Sequence, residues 1–459
     1  KGCMSQAVNP AIFKAYDIRG VYPTELDENT AYAVGRAYAT LLQQENPSKT
    51  LEIVVGLDMR LSGESLKEKL IAGLTDAGVN VIDIGLASTP TFYFAVGYYG
   101  YDGGIAVSAS HNPKEYNGFK MVRAKGKPIS GDTGIMTIRD LAIAGDFPKV
   151  GQKGTVSQKE NVLTDVVANQ IKGIDLAKIK PFKIVIDVAN AMGSLDVDAM
   201  FAGLPCEIIR LNWELDGNFP NHEADPLKEE NLQQLQEAVK EHQTDLGISV
   251  DGDADRYFFV DDRGEPIRQE ILRGIMAQIA IKENPGATVC YDIRPGKITK
   301  DLIEEAGGHA VVTKVGHSLI KETMLKEDAV FGGESSGHYF YRFDYGTFEA
   351  PTVLVMKFLV YLSEQNKSVS QIIAPHMKYY HSGEINSEVK DAQVKMKELA
   401  EKYSDAEISH LDGITITYDD FWFNVRGSNT EPKLRLNLEA VSPAIMAEKR
   451  DEVLAIIRS

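Results

Sequence analysis

The chain has 459 residues, enough for about two to four domains rather than one core. Its 43% hydrophobic and 25% charged residues are ordinary for a globular protein. Set against 66 acidic residues, 49 basic ones leave a net charge of −17, which argues against non-specific nucleic-acid binding. An anionic substrate would have to be met by local clusters of cations and backbone N–H groups.

The first residues, KGCMSQ, hold no apolar stretch of the signal-peptide kind, and no run along the chain reaches membrane-spanning length. Cys3, Cys206 and Cys290 are too scattered for a zinc or disulfide framework. Cys206 and Cys290 lie in apolar runs and read as buried thiols of a reducing compartment. A cytoplasmic protein without membrane or nucleic-acid partner is expected.

Three segments share one organisation. LEIVVGLD (51–58) is a short apolar, β-branched strand. A helix follows with Ser62 as N-cap, Leu66, Leu70, Ile71 and Leu74 at helical spacing, and Gly78 as its stop. VNVIDIG (79–85) and GGIAVSAS (103–110) are the next strands. The second segment runs from KIVIDVAN (183–190) through CEIIRLN (206–212) and a helix bearing Leu232, Leu235 and Val239 to ISV (248–250). The third runs from TVCYDIR (288–294) through a helix from about Lys297, VVTKVG (311–316) and a helix with Leu319, Ile320 and Met324 to AVFGGESSGH (329–338).

DGGIAVS (102–108), DLGISVD (245–251) and DAVFGGE (328–334) have equal length, begin with Asp and end on a polar residue. The loops SASHNP, DGDADR and GESSGH then occupy equivalent places. This pattern predicts three related α/β domains with mixed or parallel sheets. Loops beyond the carboxyl ends of such strands are where open sheets bind ligands, so the three are expected to share a cleft. The tail differs: a helix around 388–403, strands ITITY (414–418), FWFNV (421–425) and LRLNLEA (434–440), and a helix over 443–458 read as a small α+β domain. The expected domains are 1–155, 156–260, 261–372 and 373–459.

Each loop carries a chemistry and a plainer alternative. DGDADR (251–256) puts carboxylates at i, i+2 and i+4, which point the same way in extended backbone and repel unless a cation joins them. Oxygen ligands of this kind suit Mg²⁺. An EF-hand loop would need Gly and Glu where Arg256 and Asp262 stand. A dehalogenase-type phosphatase would leave SASHNP unexplained. GGESSGH (332–338) suits sugar hydroxyls, or is a tight turn. RGSNTEPK (426–433) suits a phosphate dianion, or is a polar hairpin loop. SASHNPKEYNGFK (108–120) taken alone reads first as a polar turn, since it lacks the G-x-S-x-G elbow of acyl transfer.

Together, and in this order, SASHNP with NGFK, DGDADR, GESSGH and RGSNTEP resemble the motifs of the α-D-phosphohexomutase superfamily. FKAYDIRG (13–20) is similar to the signature of its bacterial phosphomannomutase/phosphoglucomutase branch. The resemblance implies four domains around a central cleft. It implies reversible conversion of a hexose 1-phosphate to the 6-phosphate through a phosphoserine and a hexose 1,6-bisphosphate, with Mg²⁺. It selects Ser110 as the phosphorylated serine, and Asp251, Asp253 and Asp255 with Ser110 as the metal ligands. Arg19, His111, Lys120, Arg256 and His317 match catalytic positions, with Lys314 beside His317. Tyr16, Lys314, Glu334, Ser336 and His338 match substrate contacts. Arg426, Ser428, Asn429 and Thr430 match a phosphate clamp. Ser335 takes no assigned role.

Hexose phosphates are the implied small-molecule partners, and a monomer or small homo-oligomer is expected. Phosphoglucosamine mutases share the GE-x-SGH pattern, so an amino sugar is a competing substrate. A Mg²⁺-dependent sugar phosphatase and a non-catalytic sugar-phosphate binder are competing functions. Complete retention of Ser110 and the three aspartates speaks against a mere binder.

Overall fold

A computed structural model describes residues 7–294, 296–427 and 433–459. They fall into two compact units, one within 7–267 and 336–370, the other made of the described residues of 268–335 and 371–459.

The first unit holds two sheets built on one plan. In the first, Glu52–Leu57 is central. Asn80–Leu86 lies parallel on one side and Gly103–Val107 parallel on the other. Val156–Gln158 extends one edge in parallel; Tyr116–Arg123 and then Ile18–Val21 extend the other antiparallel. In the second, Lys183–Asp187 has Glu207–Leu211 on one side and Leu246–Val250 on the other, both parallel, with Tyr257–Val260 antiparallel beyond. In both sheets the chain fills one side of the starting strand and then the other. That reversal opens a crevice outside the carboxyl ends of two neighbouring parallel strands. Ser108–Ser110 leaves one such end and DGDADR another.

The helix Gly63–Asp76 shows why the apolar spacing matters. Leu66, Leu70 and Leu74 are wholly buried on one face, and Ile71 packs beside them. Each buried leucine contributes about 1.5–3 kcal/mol. Gly78 ends the helix at φ +82°, where a Cβ would be strained. Ser62 precedes the helix but does not cap it through its side chain. Its hydroxyl instead accepts a hydrogen bond from Asn117 Nδ2 at 2.8 Å, on the strand that carries Lys120. The unit closes with the antiparallel hairpin Tyr339–Phe343 and Gly346–Glu349 and the helix Pro351–Gln365.

In the second unit, Thr288–Asp292 again has a parallel neighbour on each side, His309–Thr313 and Phe331–Gly333. The C-terminal strands are all antiparallel. Glu407–Ser409, Ile414–Thr417, Phe421–Gly427 and Lys433–Ala440 follow in order, with Tyr380–His381 and Ile385–Glu388 on the last. Ala392–Lys402 and Pro443–Arg458 pack on this sheet through Leu399, Val453 and Ile457. The first of these helices starts later than its apolar pattern suggests. Asp391 accepts hydrogen bonds from the N–H groups of Gln393 and Val394 and so sets the boundary, while 385–388 is drawn into the sheet. Cys290 is buried, but Cys206 is only half-buried, because it stands at the start of a strand whose outer positions face water.

Candidate active site

The loop after Gly103–Val107 is shaped by its own serines. Ser108 Oγ accepts the Ser110 N–H at 3.0 Å. Ser110 then sits at φ +51°, a left-handed conformation costing a non-glycine residue about 1–3 kcal/mol. Ser108 is therefore occupied in holding the turn. Ser110 is 3% exposed, and its Oγ lies 3.2 Å from Asp251 Oδ2 and 3.3 Å from His111 Nδ1. Burial first, then Arg256 and Arg19, push the His111 imidazole well below its ordinary range. Arg19 donates to the Ala109 carbonyl at 3.3 Å and to Asn112 Oδ1, and is held by Asp17. Tyr16 stands half-buried in the bend just before.

Asp251, Asp253 and Asp255 do come together, with carboxylate oxygens within 4.8 Å of one another. The reason is not strand alternation. Residues 251–255 form a turn with Ala254 at φ +60°, closed by Ala254 N–H to the Asp251 carbonyl. Gly252 is required here: a Cβ would lie 2.1 Å from the Ser110 carbonyl oxygen. The turn is thereby pressed directly against the serine loop.

All three carboxylates are buried. Lys120 Nζ donates to Asp253 Oδ2 and, at 2.7 Å, to Asp255 Oδ2. Burial opposes the Lys120 charge, but these two carboxylates outweigh it and hold the ammonium well above its usual range. Thr89 Oγ1 also donates to Asp253 Oδ2. Arg256 Nε donates to Asp251 Oδ2 at 2.9 Å. Burial and Asp255 nevertheless raise the Asp251 carboxyl above the ordinary carboxylate range.

The donor set fits a hard divalent cation. It offers three carboxylates and a hydroxyl, and Asp253 Oδ1 is buried with no hydrogen-bond partner. Arg256 Nη2 is likewise a buried donor without a hydrogen-bonded acceptor, 3.9 Å from Asp225.

His338, which matches a substrate contact, has its Nε2 3.2 Å from Asp255 Oδ1 and its Nδ1 3.1 Å from Ser336 Oγ. The ring bridges an expected sugar contact and an expected metal ligand. Glu349 completes a close group with Asp255 and His338.

In the second unit, Glu334 is buried and its Oε1 accepts the Gly316 N–H at 2.9 Å, directly before helix His317–Lys326. His317 opens that helix half-buried, and Lys314 is exposed. Arg426 is buried and donates to Glu384 Oε2 at 3.0 Å. Ser428, Asn429 and Thr430 lie outside the described residues. Ser335 donates to Asp292 Oδ1 at 2.9 Å and accepts from Arg273 at 3.1 Å, which explains the serine that had no role.

Sequence reasoning overlooked Asp58, Arg60, Thr89 and Glu349. The first two left a signal. Asp-x-Arg follows the opening strand in both LEIVVGLDMR and TVCYDIR. In each, the arginine pairs with the aspartate, Arg60 Nε at 3.4 Å from Asp58 and Arg294 Nε at 2.7 Å from Asp292.

Known proteins resemble this chain over nearly all of its length. Residues 10–149, 163–264 and 270–380 match the models for α/β/α domains I, II and III of phosphoglucomutase/phosphomannomutase, and 384–456 match its C-terminal domain. A phosphomannomutase of Vibrio cholerae serotype O1 is 42% identical over 456 residues, covering 97% of this chain and 98% of that protein. One from Escherichia coli is 41% identical over 458 residues, covering 97% and 99%. A crystal structure of a phosphoglucomutase/phosphomannomutase family protein from Burkholderia thailandensis superposes with TM-score 0.90 at 32% identity, covering 98% of this chain and 97% of that one. The chain belongs to the phosphoglucomutase/phosphomannomutase family, and is a phosphohexomutase, an isomerase that moves a phosphoryl group within a hexose phosphate.

Proposed function

We propose that the chain interconverts the 1- and 6-phosphates of mannose and glucose through a phosphoryl group carried on Ser110. One observation carries this reading: Ser110 Oγ is buried against the Asp251 carboxyl and the His111 ring, in a strained turn held by Ser108. In the forward step the bond between Ser110 Oγ and phosphorus breaks. A new one forms to the free sugar hydroxyl, whose proton passes to a base, giving the hexose 1,6-bisphosphate. In the second half the bond between phosphorus and the other ester oxygen of the sugar breaks, that phosphoryl group passes to Ser110 Oγ, and a proton is returned to the sugar oxygen left behind.

Phosphoryl transfer needs charge neutralisation and alignment more than a strong base. Mg²⁺ held by Asp251, Asp253, Asp255 and an oxygen on Ser110 would supply charge neutralisation. The buried Arg256 Nη2 is a donor suited to a phosphoryl oxygen. Lys120 holds Asp253 and Asp255 in their ionised form. Arg19 braces the loop. His111 and His317 are the proton-handling groups, with Lys314 near the second. Glu334, Ser336, His338 and Tyr16 contact the sugar. Arg426, Ser428, Asn429 and Thr430 clamp the phosphate that is not being transferred. We place the enzyme in the cytoplasm as a monomer or small homo-oligomer; no described helix is long and apolar enough to cross a membrane.

The test is an isomerisation assay with mannose, glucose and glucosamine 1-phosphates, primed by hexose 1,6-bisphosphate. Mannose and glucose 1-phosphates should turn over and glucosamine 1-phosphate should lag. Ser110→Ala should abolish turnover. Release of inorganic phosphate at the rate of isomerisation would point to a phosphatase instead.

A further inference from the structure

We infer that Arg60 is a positioning residue for phosphoryl transfer, whose guanidinium fork fixes the backbone of the Ser110 loop. The inference rests on the mutase reading above. The Arg60 side chain is wholly buried. Its Nη2 donates to the carbonyls of Ser110 at 2.9 Å and Asn112 at 2.6 Å. Its Nη1 donates to those of Pro113 at 2.8 Å and Tyr116 at 2.9 Å. Asp58 stands 3.4 Å from Nε, and the Phe219 ring lies 5.2 Å from the guanidinium carbon.

This geometry separates two roles an arginine could have here. A cation serving the phosphoryl group would turn N–H groups toward Ser110 Oγ. Arg60 turns both terminal nitrogens to main-chain oxygens, two each, and a guanidinium has only four such N–H groups. They are fully committed to the loop. The turn from Ser110 to Tyr116 has few main-chain bonds of its own, Asn112 N–H to the Ala109 carbonyl and Tyr116 N–H to that of Pro113, and Arg60 adds four more. The Ser110 carbonyl is held on one side by Arg60 and closely approached on the other by Gly252 of the aspartate turn. Fixing that peptide fixes the direction of the Ser110 Oγ toward Asp251. Arg60 thus acts on the reacting oxygen through the backbone and not through its charge.

Lysine carries the same charge but has no planar fork to span two pairs of carbonyls. Arg60→Lys and Arg60→Met therefore make the test, with kcat, KM, single-turnover transfer from the phosphorylated enzyme, and Tm measured on each. Both variants should lose about 100-fold in kcat and in the single-turnover rate, the scale expected for misplacing a reacting group. KM should stay within about threefold, and lysine should do little better than methionine. A purely structural role would lower Tm without this split. Near-wild-type kcat in Arg60→Lys, or a loss confined to KM, would overturn the inference. If Arg60→Met does not fold, the lysine variant decides alone. Wild-type protein that fails to isomerise would overturn the mutase reading itself.

Discussion

Ser108 and Ser110 are two positions apart, and the fold gives them different work. Ser108 spends its oxygen on the Ser110 N–H; Ser110 is turned to the carboxylates. Gly252 makes that approach possible. Gly252→Ala should leave the protein folded, with far-ultraviolet circular dichroism unchanged, but cut kcat by at least about tenfold, because the new methyl meets the Ser110 carbonyl. Asp196 provides a second test at this scale. Its carboxyl is buried and pushed up to about 7 by burial, with the Ser88 hydroxyl pulling the other way. The folded protein thus keeps a proton that the unfolded chain releases near pH 4. Stability contributed at this position is greatest at low pH and is lost as pH rises from about 4 to about 7. Asp196→Asn should therefore gain Tm over wild type progressively across that window, with no further gain above it. A gain independent of pH would show that Asp196 does not titrate there.

At the scale of elements, strands and helices were legible where one physical rule dominates. GGIAV, KIVID and TVCYD are short apolar runs bounded by polar turns, and each forms a strand. What the sequence hid was decided by tertiary partners. Ser62 looks like a cap, but Asn117 claims its hydroxyl. DGDADR looked like a strand end whose alternation would align the carboxylates, whereas a left-handed Ala254 gathers them in a turn. His338 follows a sugar-type loop by motif but reaches Asp255 by geometry. The Arg60 fork was invisible because its partners are main-chain carbonyls, which no motif spells.

The strand Tyr116–Arg123 delivers Lys120 into the carboxylate group, so that one strand and one turn balance each other's charge. Breaking a buried pair costs about 3–5 kcal/mol. Lys120→Met should lower Tm sharply without metal, and added Mg²⁺ should restore more of it than it adds to wild type, since a cation binding the folded state alone stabilises it. Thermal melts with and without Mg²⁺ check this; an equal Mg²⁺ response in both proteins would mean that Lys120 and the cation do not balance the same charge, and no response in either would mean that the triad is not a cation site.

For the whole molecule, a net charge of −17 coexists with a chemistry of anions. The resolution is local: Arg19, Lys120 and Arg256 stand around the loops at the carboxyl ends of two sheets built on the same plan. The threefold repeat in sequence was legible because each copy must bury the same strand order. The roles of its loops were legible only through the four motifs taken together. Everything proposed for this enzyme depends on Ser110 carrying the phosphoryl group. Peptide mass spectrometry of protein incubated with hexose 1,6-bisphosphate tests that directly. A single phosphoryl group on Ser110 is the expected result; a group found on Ser108, or none on this loop, would contradict it.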